Sequence, residues 1–334
     1  MSDKVFIIAE AGANHNRNFE QAKALIDSAR EAGADACKFQ TYSSETLYSK
    51  GTPDFAGYKN INKLIKEIEL PREWQKGLKS YCDDVGIEFM STPFDERAVE
   101  ELLQLGVKRL KIAGFESTDP RFVRMVASAG LPIVVSSGIG NNLSSASNIL
   151  SWVRVEQQDP DVTVLHCNNA YPTPDNDINL SNIEVLKKIY PNVKIGLSDH
   201  TSGTMAPMLA VAKGAVCIEK HFTLSKRLPG PDHPFALEPD ELKEMVSQIR
   251  RAETMCTISD DKLTSSEKRF SNAMRSVIVS GNVKGGDLIT KDNITTKRPL
   301  LDNSIPADRY YGILGKRFSK DLSDDTVLTE GDVS

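Results

Sequence analysis

No run of apolar residues in this 334-residue chain approaches the roughly 18 needed to span a bilayer, so no membrane partner is expected. Met1 leads straight into polar Ser2-Asp3-Lys4 and then a strand, without the charged-then-apolar pattern of a signal peptide. There is no basic excess. Lys and Arg number 41 against 46 Asp and Glu, for a net charge of −5, and nothing points to a nucleic-acid partner. The five cysteines, at 37, 82, 167, 217 and 256, form no CxxC pair. Cys37, Cys167 and Cys217 sit in or beside apolar strand candidates. They read as reduced, buried residues of a cytoplasmic protein, not as a disulfide frame or zinc site. Finally, no GxGxxG follows the first strand candidate, which counts against an open dinucleotide-binding sheet.

What is present is a regular alternation. Apolar residues make up 40%, enough for a substantial core. From residue 4 to about 250, short runs rich in Val and Ile alternate with helical stretches. The strand candidates are Val5–Ala9, Ala36–Phe39, Glu88–Met90, Arg109–Ile112, Ile133–Val135, Thr163–Leu165, Lys194–Leu197 and Ala215–Ile218. Between them lie helical patterns at Phe19–Ala32, Pro71–Val85, Asp95–Leu105, Pro120–Ser128, Ser144–Arg154, Asn182–Tyr190 and Thr204–Lys213, with Glu238–Ala252 at the end. Start signals such as Thr118-Asp119-Pro120 open them, and glycines such as Gly33 and Gly214 close them. Eight βα units predict an α/β fold, a (β/α)8 TIM barrel over residues 1–255. A doubly wound sheet is the runner-up. The polar, Ser/Thr-rich stretch 256–272 reads as a linker. Residues 273–334, with candidate strands at Met274–Ser280, Leu288–Thr290 and Asn293–Lys297, read as a small second domain.

The chain is organised around Lys194–Thr223. Two successive strands there each deliver a histidine, His200 and His221, to the C-terminal edge, where such folds place ligands. With Asp199 and Glu219 beside them, the two imidazoles could hold a divalent metal. The other strand ends are polar too. They give Glu10, Lys38 and Gln40, Thr92, Lys111 and Glu116, Ser136, Asn169 and Tyr171, and Ser198. Pro229-Gly230-Pro231-Asp232 follows the last strand. Lys38 and Lys111 with Gln40, Ser136, Asn169 and Ser198 suit a dianionic phosphate, through charge and several donors. A Schiff-base role for Lys111 is the rival reading.

These residues carry a resemblance. Ile8-Ala9-Glu10-Ala11-Gly12-Ala13-Asn14-His15, Lys38-Phe39-Gln40-Thr41, Ser91-Thr92-Pro93-Phe94, His166-Cys167-Asn168-Asn169-Ala170-Tyr171, Gly196-Leu197-Ser198-Asp199-His200-Thr201, Glu219-Lys220-His221-Phe222-Thr223 and Pro229-Gly230-Pro231-Asp232 look like the sialic acid synthase family. The tail, with Lys297-Arg298-Pro299, resembles that family's antifreeze-like (SAF) domain. The resemblance implies a transferase that condenses phosphoenolpyruvate with an open-chain N-acetylmannosamine-type sugar and releases phosphate. The related acceptors are diacetamido-trideoxyhexoses of the legionaminic or pseudaminic type. A non-catalytic sugar-binding protein and a metal-dependent barrel hydrolase or isomerase are the alternatives from other classes.

By the same resemblance, Glu10, Lys38 and Lys111 are catalytic. Gln40, Thr92, Glu116, Ser136, Asn169, Tyr171, Ser198, Asp232 and Arg298 bind substrates. His200 and His221 hold a divalent ion, manganese, with magnesium or cobalt as alternatives. A domain-swapped homodimer is implied, with Arg298 reaching the partner's barrel. Three departures stand out. Gly114-Phe115 replaces the usual Ser-Gly after strand four, Arg17 stands where glycine is usual, and Leu300–Ser304 replaces a glycine-rich turn. The last two fall where the acceptor is expected.

Overall fold

The computed structural model describes residues 4–54, 57, 59–140, 142–258 and 263–334. The first three residues, on which the reading of the chain's start rests, lie outside the described residues, as do 259–262 of the expected linker. The chain divides into two compact units, residues 1–257 and 258–334. Among the described residues no helix is long and apolar enough to cross a membrane.

The first unit holds eight strands: β1 Phe6–Gly12, β2 Ala36–Thr41, β3 Glu88–Pro93, β4 Leu110–Ile112, β5 Ile133–Ser136, β6 Val162–Cys167, β7 Lys194–Asp199 and β8 Cys217–His221. They form one sheet in the order β3-β2-β1-β8-β7-β6-β5-β4, with parallel pairing from each strand to the next. β3 and β4 lie side by side and close the sheet into a barrel. Around it run α1 Phe19–Ala32, α2 Ile61–Ile68, α3 Trp74–Val85, α4 Glu96–Gln104, α5 Pro120–Ser128, α6 Asn142–Glu156, α7 Ser181–Ile189, α8 Met205–Ala212 and α9 Pro239–Met255.

The starts of these helices follow from side chains that satisfy free backbone N–H groups. Asn18 accepts from Gln21 N and Asp95 from Ala98 N. At α9, the Glu241 carboxylate accepts from Glu238 N at 2.8 Å. Most element ends shift by one to three residues from the sequence reading, and three differences stand out. α2 is a short helix inside what reads as a long loop. α3 begins at Trp74, not Pro71. The expected linker contains a helical turn, α10 Ser265–Lys268, and a 3-10 turn at Ser271–Ala273, because Thr264 and Glu267 cap each other.

Strand alternation sorts the side chains. Ile7, Ala9, Cys37, Phe39 and Phe89 face outward into the main core between barrel and helices. Ile8, Ala36, Met90, Val134, Leu165 and Cys217 form a separate apolar cluster, the layer that fills the barrel interior. Two residues further along the same strands come Glu10, Lys38, Thr92, Ser136, Cys167 and Glu219. All are buried. The apolar layer is thus the floor of a polar one at the C-terminal edge.

The second unit pairs β9 Ser276–Val279 with β10 Ile294–Lys297 in an antiparallel ladder. Val277, Val279, Val283, Ile289, Ile294, Ile305, Ile313, Phe318 and Leu328 form its core. The expected strand at Leu288–Thr290 is reduced to a single bridge between Leu288 and Arg317.

Candidate active site

At the centre of the polar layer are two buried carboxylates and two buried ammonium groups. Lys38 Nζ lies 2.7 Å from Glu10 Oε2, 2.8 Å from Thr92 Oγ1 and 3.6 Å from Glu219 Oε2. Lys111 sits one level lower, opposite Val134, and reaches up. Its Nζ donates to Ser136 Oγ at 2.8 Å and to Ile112 O at 2.9 Å, and lies 3.7 Å from Glu219 Oε1. Gln40 Nε2 donates to Glu10 Oε1 at 2.8 Å, and Ser198 Oγ donates to Glu219 Oε1 at 3.2 Å.

The charges settle by burial against pairing. Burial pushes the Glu10 carboxyl up to about 7 against the pull of Lys38. Burial also pushes Glu219 up, but Lys111 and Lys38 outweigh it and hold that carboxyl below its ordinary range. For Lys38, burial works downward, and Glu10 and Glu219 more than reverse it. Lys111 stays lowered by burial despite Glu219. The result is one firmly ionised carboxylate between two lysines, and a second carboxyl that exchanges its proton near neutrality.

Above this layer stand the two histidines, their ring centroids 5.4 Å apart. Burial holds both below their ordinary pKa, so both are neutral. His200 Nδ1 faces the Asn168 carbonyl at 2.7 Å. A carbonyl can only accept, so Nδ1 carries the proton and Nε2 keeps its lone pair. His221 Nδ1 is buried with no hydrogen-bond partner and lies 3.8 Å from Asp232 Oδ2. Two neutral imidazoles, one with its tautomer fixed and one with an unpartnered nitrogen, fit a borderline metal ion. The expected contribution of Asp199 does not hold. It points to the opposite face of β7, where its carboxylate binds Lys220 at 2.6 Å and Thr201 N at 2.9 Å. Among the described residues no group of three His, Cys, Asp or Glu side chains is disposed to hold a metal.

The remaining predicted residues are placed as follows. Tyr171 is 46% exposed, its ring 4.2 Å from that of His200. Asn169 leans over Gly114, where a Cβ would stand 2.3 Å from its Oδ1. A serine in that place would displace the amide, so the Gly114 departure and the position of Asn169 belong together. Glu116 opens a 3-10 turn. Burial raises its carboxyl, and its Oε2 has no hydrogen-bond partner. Arg298 is exposed and lies in the second unit, just after β10.

Sequence reasoning places Glu219 beside the histidines and misses its role between the lysines, both of which it touches. The signal was the period of two: Cys217, Glu219 and His221 share one face of β8. Phe235 is also missed. Its ring lies 5.7 Å from Tyr171 and 5.3 Å from His221. It sits in a loop with no periodicity to announce it.

A parallel barrel with a buried, charge-balanced layer at its C-terminal edge is the architecture of a TIM-barrel enzyme. The chain belongs to the NeuB family, whose model matches residues 25–260, and a SAF domain matches residues 274–334. It is 37% identical to the N,N'-diacetyllegionaminic acid synthase of Legionella pneumophila, over 97% of this chain and 93% of the other. It is 37% identical to a pseudaminic acid synthase of Campylobacter jejuni, over 98% and 96%. Among solved structures, an N-acetylneuraminic acid synthetase from Leptospira borgpetersenii, in complex with citrate, superposes with a TM-score of 0.73 at 34% identity, covering 80% of this chain and 90% of that one. The family read from the motifs, and the class of transferase it implies, stand.

Proposed function

We propose that this protein condenses phosphoenolpyruvate with an open-chain amino sugar to make a nonulosonic acid, with release of phosphate. The observation that carries the reading is the buried layer of Glu10, Lys38, Glu219 and Lys111, ringed by the hydroxyls of Thr92, Ser136 and Ser198. Two lysines and several hydroxyls at one point suit a phosphorylated carboxylate, and Glu219 keeps the lysines charged and aimed until it arrives. C3 of phosphoenolpyruvate bonds to C1 of the sugar aldehyde. Water adds at C2, and phosphate leaves with cleavage of its C–O bond. Glu10, with its carboxyl at about 7, is poised to take the proton of that water and to face the cationic centre at C2.

His200 and His221 are the residues that would hold a divalent ion, manganese first among candidates. When bound, it supplies a Lewis acid for the aldehyde oxygen. The two histidines, held neutral by burial, add no positive charge of their own at the mouth of the site.

The acceptor is an N-acetylmannosamine-type sugar or a diacetamido-trideoxyhexose. The rings of Tyr171 and Phe235 beside the histidines favour the second, because they offer apolar cover to a methyl or acetyl group. We further propose a cytoplasmic homodimer in which Arg298 serves the partner's site. The test of function is a phosphate-release assay with both acceptor types. Phosphate should appear only when phosphoenolpyruvate and a sugar are both present, and a chelator should stop it until Mn²⁺ is added back. Phosphate release from phosphoenolpyruvate alone, at the same rate, would overturn the condensation.

A further inference from the structure

His233 has no place in the chemistry above, yet it is fully buried beside the site. It follows Asp232 directly. Its two ring nitrogens are taken by two different segments. Nδ1 lies 2.6 Å from Thr223 Oγ1, just past the end of β8, and Nε2 lies 3.1 Å from Asn16 Oδ1, in the loop after β1. Burial holds the ring below its ordinary pKa. The neutral ring then has one N–H and one lone pair, and both are used: Thr223 donates to Nδ1 and Nε2–H donates to Asn16.

The loop is shaped to this ring. Gly230 has φ +147°, and a Cβ there would come 2.8 Å from His233 Cδ2. Asn16 holds the left-handed backbone at φ 48°. The anchors are firm themselves: Thr223 N donates to Leu237 O at 2.8 Å, and Asn14 Nδ2 donates to Phe222 O at 2.8 Å. Asp232 depends on this support. Among the described residues no donor hydrogen-bonds its carboxylate, and His221 Nδ1 stands off from it at 3.8 Å. Yet Asp232, Glu10 and His221 converge over Gly12, whose missing Cβ would sit 3.2 Å from Asp232 Oδ2, 3.5 Å from Glu10 Oε1 and 3.7 Å from His221 Cε1.

We propose that His233 is a positioning residue for the acceptor sugar: its imidazole pins the Pro229–Asp232 loop to the ends of β8 and β1, and thereby fixes the Asp232 carboxylate beside Glu10 and His221. The proposal rests on the reading of Asp232 as an acceptor contact, so the experiment separates the two. Steady-state kinetics are measured with phosphoenolpyruvate and, as probe acceptor, whichever of N-acetylmannosamine and the diacetamido-trideoxyhexose turns over faster. The variants are Asp232→Asn, His233→Phe, Thr223→Val and the double variant Asp232→Asn/His233→Phe.

Asp232→Asn and His233→Phe should each raise the acceptor KM by about tenfold or more, as expected when a binding group is lost or shifted by around an ångström. The phosphoenolpyruvate KM should stay within about twofold, because His233 supports only the acceptor side. The double variant should be no worse than the poorer single one, since one residue acts through the other. Thr223→Val removes one anchor while keeping the ring and side-chain shape. It should reproduce the acceptor-selective effect, and it decides the matter if His233→Phe does not fold. An effect of Asp232→Asn with none from His233→Phe or Thr223→Val overturns the positioning role alone. So do multiplicative losses in the double variant. An unchanged acceptor KM in Asp232→Asn overturns the reading of Asp232 itself.

Discussion

His15 shows how one buried side chain ties stability to pH. It is buried, and its Nδ1 accepts from Arg17 N at 3.0 Å. Burial, with Arg17 nearby, lowers its pKa to about 4 from an ordinary 6.5. The folded state therefore takes up the proton less readily than the unfolded one. Between those two values the unfolded chain binds more protons, so stability rises with pH across that window and is fully present above about 6.5. It is lost as pH falls from 6.5 toward 4. The shift is worth about 3 kcal/mol at most, at 1.36 kcal/mol per pKa unit. Replacing His15 by Asn removes the titration. The difference in unfolding free energy between parent and His15→Asn, followed by urea denaturation, should shrink as the pH is lowered from 7 to 4.5. A difference that stays constant over that range would mean that His15 does not titrate in the fold.

At the scale of elements, the rung between β7 and β8 combines a site contact with a structural ion pair. Both strands alternate. Ser198 pairs with Glu219 toward the site, and Asp199 with Lys220 toward the helices. The outward pair is buried and close, 2.6 Å between Nζ and Oδ2, with Lys220 also donating to Thr201 O. Lys220→Met would leave the Asp199 carboxylate buried without its counterion. Such half-broken pairs typically cost about 3–5 kcal/mol, and the urea midpoint should fall accordingly. A change under about 1 kcal/mol would show that water or a shifted side chain replaces the lysine. The same rung explains what was legible in the sequence. Short apolar strands, capped helix starts and polar strand ends follow local rules, so the barrel and most of its edge residues could be read directly. Which polar residues face inward depends on register, and register comes from the closed sheet. Asp199 and Glu219 look alike in sequence as neighbours of the histidines. The pleat sends Glu219 to the lysines and Asp199 away. Helix α2 was legible but passed over, since Ile61, Leu64, Ile65 and Ile68 recur at i, i+3, i+4 and i+7. Phe235, in contrast, lies in a loop whose shape is set by tertiary contacts, and no periodic signal reveals it.

At the scale of the whole molecule, the question is what the second unit does for the first. The unit has its own small core around Val277, Ile305 and Phe318, and it carries Arg298 in exposed position. In the proposed exchange of domains, each barrel works with the Arg298 of the other chain. This can be tested without any further structure. Glu10→Gln keeps the shape of the carboxyl but cannot take the proton of the attacking water, and should lose about 10²-fold or more in rate, within the usual contribution of a general base. Arg298→Ala should weaken use of the sugar with little change in phosphoenolpyruvate affinity. Each variant alone forms sites that are all impaired. When the two are mixed and subunits exchange, a mixed dimer contains two kinds of site. One brings both substitutions together and is dead. The other combines an intact Glu10 with an intact Arg298 from the partner and should regain the parent rate. With statistical exchange of equal amounts, half the dimers are mixed, and half the sites in those are whole. About a quarter of the parent activity should therefore return, far above the average of the two separate variants if Arg298→Ala is itself impaired by tenfold or more. Exchange is verified with two differently tagged chains. If it is complete and activity stays at that average, Arg298 serves its own barrel or none, and the exchanged dimer is wrong.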